Sequence, residues 1–102
     1  MISNEEVYIG TKLKYLIEIG SAGFAMERDR FTVDILRGQN SMHFEKFDME
    51  MDDQGNWYVC FDTLALGTGK ITAKVTAYVP DTDFEGGIRT EVTKIDLINI
   101  KA

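Results

Sequence analysis

Lys70-Ile71-Thr72-Ala73-Lys74-Val75-Thr76-Ala77-Tyr78-Val79 is the stretch whose reading decides the fold. Ile71, Ala73, Val75, Ala77 and Val79 occupy alternate positions, with Lys70, Thr72, Lys74, Thr76 and Tyr78 between them. Successive side chains of an extended chain leave on opposite faces, so the pattern places five apolar groups on one side and predicts a half-buried strand. Three further segments read the same way: Leu13, Tyr15, Ile17 and Ile19; Phe31, Val33 and Ile35; and Trp57, Val59 and Phe61.

Two segments change phase. Met42 and Phe44 share one parity while Phe47, Met49 and Met51 share the other, as a bulge near Glu45 and Lys46 would produce. Ile95 and Leu97 are followed out of phase by Ile98 and Ile100. Either slip could instead mark a strand covered on both faces. Val7 to Ile9 adds a short edge strand. Turn signals separate these runs: Gly20 to Gly23, Gly38 to Ser41, Asp52 to Asn56, Gly67 to Gly69, and Pro80 to Gly87. With no helical period over ten or more residues, the expectation is an all-β sandwich or barrel of six or seven strands.

The chain has 102 residues, enough for one core, and nothing in its composition marks an internal boundary, so a single domain over 1–102 is expected. Its lone Cys60 has no intramolecular disulfide partner. A formal net charge of −6 opposes phosphate backbones and anionic membranes, and Lys12, Lys14, Lys70 and Lys74 are the nearest approach to a basic stripe. No stretch approaches the roughly 18 apolar residues of a membrane span. No nucleic-acid or membrane partner is expected.

From Asp52 to Ala77 the order of residues resembles immunoglobulin-like domains: an acidic Gly turn (Asp52, Asp53, Gly55, Asn56), an aromatic strand (Trp57, Val59, Phe61), a Leu and Gly connection (Leu64, Leu66, Gly67, Gly69), and an alternating strand ending in Ala77. It is similar to modules of bacterial surface proteins and of phage tail and baseplate proteins, including the N-terminal domain of baseplate upper proteins. Val79-Pro80-Asp81-Thr82-Asp83-Phe84 with Gly87-Ile88-Arg89-Thr90-Glu91 also looks like small proteins of Bacteroides prophages and conjugative elements. The resemblance implies an immunoglobulin-like β-sandwich of about seven antiparallel strands and a structural role. Antibody-type features are missing: no Cys pair bridges the sheets, and Tyr58 stands one residue too far from Asp53-x-Gly55 for a tyrosine corner. Met1 to Glu6 lacks the basic start and apolar run of a secretory leader, so cytoplasmic synthesis is expected, with virion association following from the resemblance.

Catalytic chemistry finds few residues. A Cys nucleophile needs an activating His, and the sole pair is Cys60, inside a strand where free Cys packs as a small hydrophobe, with His43. Ser3, Ser21 and Ser41 have no nucleophile-elbow context. Gly67-Thr68-Gly69-Lys70 is too short for a phosphate loop and reads as a turn. Neither an enzyme nor a cofactor or metal requirement is expected. Asp81-Thr82-Asp83-Phe84-Glu85-Gly86 spaces oxygen ligands as a calcium loop does, yet Val92 stands where the bidentate Glu belongs, which leaves weak calcium binding or a plain Asp-closed turn. The candidate contact residues are Phe24, Met26 and Arg28 in the loop from Gly20 to Arg30, and Asp81, Asp83, Phe84 and Arg89 in the second loop. Phe24 and Met26 have a second reading, as apolar plugs of the sandwich end. Two roles follow: an interaction module contacting itself or a neighbouring structural protein, or a carbohydrate- or ligand-binding module using Tyr8, Tyr58 and Tyr78.

Overall fold

The computed structural model describes residues 6–102. Eight strands form among them: β1 (Glu6–Tyr8), β2 (Lys12–Ile17), β3 (Phe31–Arg37), β4 (Asn40–Phe44), β5 (Glu50–Met51), β6 (Trp57–Asp62), β7 (Gly69–Pro80) and β8 (Ile88–Lys101). They make a five-stranded sheet in the order β1-β8-β7-β3-β4 and a three-stranded sheet in the order β2-β6-β5. The all-β expectation and the four alternating strands hold. The strand count is eight rather than about seven, and β1 runs parallel to β8, unlike the antiparallel arrangement expected throughout. A parallel partner cannot come from a hairpin, so β1 reaches its neighbour from the opposite end of the chain.

Alternation accounts for the core. Ile71, Ala73, Val75, Ala77 and Val79 of β7 are all buried, as are Phe31, Val33 and Ile35 beside them. One cluster joins Ile71, Ala73, Val75, Phe31, Val33 and Ile35 to Ile17, Val59 and Phe61 of the smaller sheet, so the two sheets share a single interior. Phe31 sits at its centre, with Phe24 and Trp57 edge-on at centroid distances of 6.1 and 5.8 Å.

The two phase slips have different causes. In β8, Ile71 faces Ile98 while Thr72 faces Asp96, leaving Leu97 as the extra residue of a bulge. Near Glu45 the expected bulge is absent. There β4 ends at Phe44, Lys46–Asp48 form a 3-10 turn, and the chain re-enters the other sheet as β5. Phe44 and Met49 therefore enter the core from opposite layers, and Phe47 between them is 85% exposed.

Two tight connections set the ends of the sandwich. After β6, Asp62 accepts the Leu64 N–H and a 3-10 turn leads to Gly67 and Gly69, whose φ values are +89° and +128°. A Cβ on either glycine would stand 3.1 Å from the Arg37 side chain. Arg37 Nε donates to the Leu66 carbonyl at 2.8 Å, and Asn40 Nδ2 donates to the same oxygen. The segment that superficially matched a phosphate loop thus cradles an arginine. After β5, the Asp52 carboxylate accepts from the amides of Gln54 and Asn56 and from the Tyr58 hydroxyl.

Candidate functional site

The loop from Gly20 to Arg30 and the loop from Asp81 to Gly87 meet at one end of the sandwich. Their link is Arg89 at the start of β8. Its guanidinium donates to the Asp81 carboxylate, to Glu91 at 2.9 Å and to the Ala22 carbonyl at 3.3 Å. The Ser21 hydroxyl donates to the other Glu91 oxygen at 2.5 Å. The Asp83 amide and Arg89 together hold the Asp81 carboxyl below its ordinary range, while the Ser21 hydroxyl and Arg89 do the same for Glu91. Both acids stay ionised, and the network fastens one loop to the other.

The second loop is an Asp-closed turn. The Asp83 amide donates to Asp81 Oδ1, and the Asp81 amide donates to the Gly87 carbonyl. Both Asp81 oxygens, which a calcium loop would aim at an ion, receive donors from this chain. Among the described residues no group of three or more His, Cys, Asp or Glu converges as a cation cage. Phe84, at the tip, is 50% exposed.

The first loop folds around Asp29, which is buried and accepts from the Ala25 amide and from the Arg28 guanidinium at 2.9 and 2.8 Å. Arg28 and then the Ala25 amide lower the Asp29 carboxyl to about 2. Arg28 thus serves the loop's own structure through Asp29 and the Gly23 carbonyl. Phe24 and Met26 are partly buried against the core, which matches the plug reading of this loop. Lys46 Nζ donates to the Met26 and Asp29 carbonyls, at 2.5 and 3.1 Å, and ties the loop to the turn after β4. Of the seven residues singled out by sequence, Asp81 and Arg89 touch directly, and Phe84 and Asp83 present themselves to solvent beside them.

A second charged cluster lies on the outer face of the large sheet. Strand pairing sets Asp34 of β3 opposite His43 of β4. The imidazole stands between two carboxylates, Nδ1 at 2.7 Å from Asp34 and Nε2 at 2.7 Å from Glu45. Glu45 first and Asp34 second raise the His43 pKa, favouring a doubly donating imidazolium. Arg30 grips Glu45 with two nitrogens and lies 4.4 Å over the Tyr78 ring. Sequence reasoning left His43 alone because only the β3–β4 pairing brings Asp34 to it. Glu45, two residues ahead on the same parity, was the one local signal.

Cys60 corrects the sequence expectation. It is exposed on the outer face of the small sheet, opposite Lys14, because the inward parity of β6 belongs to Val59 and Phe61. His43 stands on the other sheet, so the two are not brought together. The four lysines divide likewise: Lys12 and Lys14 on β2, Lys70 and Lys74 on β7, with Lys70 paired to Asp96 at 3.1 Å. They form no common stripe. Ser3 lies outside the described residues. No described helix is long and apolar enough to cross a membrane.

Compared with known protein families, curated proteins and solved structures, the chain matches none.

Proposed function

We propose that this chain is a non-enzymatic protein-interaction module with an immunoglobulin-like strand arrangement, of the kind used in phage tail and baseplate assemblies. Strand order supports the fold part of this reading. β2-β6-β5 corresponds to the B-E-D order of an immunoglobulin sandwich, and β8-β7-β3-β4 to G-F-C-C′, with β1 set against the last strand. The phage association rests on the resemblance described above.

The observation that carries the interaction reading is the Arg89 network. It fixes two end loops against each other and leaves Phe84 exposed on a preorganised support, which lowers the entropy lost when a partner docks. Co-expression with the proteins encoded beside it tests this. A stoichiometric complex that the Phe84→Ala and Arg89→Ala variants each weaken supports the reading. Failure to associate with any neighbour or with itself overturns it. The carbohydrate alternative has less support: Lys14 and Arg30 sit 4.5 and 4.4 Å over the rings of Tyr58 and Tyr78, each taking a face on which a sugar would stack.

A further inference from the structure

Among the described residues the smaller sheet ends at β2, which pairs with β6 on one side and with no described strand on the other. The Thr63 amide donates to the Thr11 carbonyl at the start of this ladder, and antiparallel pairing alternates from there. Leu13, Tyr15 and Ile17 therefore direct their amides and carbonyls to β6, and Lys12, Lys14 and Leu16 direct theirs outward. Such an edge is a template for another strand.

Side chains choose the occupant. Lys14, Leu16 and Glu18 are exposed and follow one another on the outer parity, Leu16 at 44%. A cation, an apolar group and an anion in that order are their own complement when the sequence is reversed. We propose that the chain forms a two-fold homodimer in which β2 pairs antiparallel with β2 of a second copy, the axis passing through Leu16. This rests on the interaction-module reading above and names the partner.

In that register Leu16 meets Leu16, and Lys14 of each copy meets Glu18 of the other. Lys12 faces Gly20. On the inner parity Tyr15 meets Ile17 and Leu13 meets Ile19, so each directly opposed inner pair is apolar or aromatic. Moving the axis two residues either way sets Lys14 against Lys14 or Glu18 against Glu18. The dimer is a continuous six-stranded sheet, β5-β6-β2-β2-β6-β5, and its interface is isologous. A cleft of about 140 Å³, lined by Ile19, Val75, Ala77 and Ile95 among others, opens beside this edge. Ile95 is 48% exposed there, and the second copy would approach it.

The other edges are poorer templates: β4 has five residues, and its His43 is already held by Asp34 and Glu45. β1 and β5 are three and two residues long. The open half of β8 places the charged Arg89 and Glu91 on its inward parity, a device that discourages edge pairing.

Charge reversal in the full chain gives a clean test, read by sedimentation equilibrium and light scattering up to about 1 mM, a concentration that populates even weak pairings. The parent chain should reach twice 11.6 kDa. Lys14→Glu and Glu18→Lys should each weaken the dimer by roughly tenfold or more, since two attractive cross-strand pairs become repulsive. The double swap should restore it, and the two single variants mixed together should pair with each other better than with themselves. Unchanged circular dichroism shows that the variants fold. A strict monomer, or a dimer indifferent to these reversals, overturns the β2 interface. Co-purification with a genomic neighbour could still succeed in either case, so failure here is distinguishable from failure of the interaction-module reading.

Discussion

His43 holds two carboxylates at once, and its protonation should be visible in stability. A histidine whose folded pKa lies above its unfolded value of about 6.5 contributes stability fully below that value and loses it as pH rises through the folded one. Urea midpoints measured from pH 5.5 to 9 should therefore decline across this window, and His43→Gln should flatten the decline. The site is half exposed, so the effect belongs to the surface-pair range of about 1 kcal/mol or less. Gly67 offers a larger effect. Its φ of +89° and the Arg37 guanidinium 3.1 Å from a would-be Cβ act together, so Gly67→Ala should lose about 1–3 kcal/mol in urea denaturation. Alanine at Gly38, where no atom lies within 4 Å, should lose less.

Among the elements, β8 carries the sharpest test. Leu97 is the extra residue that returns Ile98 and Ile100 to the core side after the bulge. Deleting it leaves simple alternation, with Ile95, Ile98 and Ile100 inward and Asp96 and Asn99 outward, so both isoleucines keep the core and the expected loss is about 1–2 kcal/mol from the partly buried Leu97 side chain, read by thermal or chemical unfolding. This element also marks how far the sequence could be read. Strands with one wet face, such as β7, declare themselves because polarity alternates with the pleat. The slip at Ile98 was visible for the same reason. The slip near Glu45 was visible too, but its meaning was hidden: a bulge and a transfer between sheets leave the same parity change, and only the position of the second sheet separates them. Cys60 was misplaced because it was read by its chemistry, as a small hydrophobe, although the alternation of Trp57, Val59 and Phe61 puts it on the outward parity. At the candidate site, the two loops were legible as loops, while Arg89 bridging Asp81 to Ala22 depends on a long-range approach that no local pattern encodes.

For the whole molecule, the shared interior implies shared fate. A sheet of three strands, one only two residues long, is not stable alone, and its inward residues Ile17, Val59 and Phe61 belong to the cluster built on β3 and β7. Trp57 fluorescence, which reports the smaller sheet against Phe31, and far-ultraviolet circular dichroism, dominated by the larger sheet, should give coincident urea transitions. Separate transitions would mean that the layers open independently.

The pairing of β1 with β8 has a consequence for synthesis. The partners of Glu6, Val7 and Tyr8 are Asn99, Ile100 and Lys101, which the ribosome adds 93 residues later. Ile98 and Ile100, both buried, arrive with them. Until those residues clear the exit tunnel, β1 has no neighbour and β7 exposes the flank that β8 will cover. The nascent chain thus carries an open sheet until β8 has been made, and the closing step joins its first described strand to its last described one.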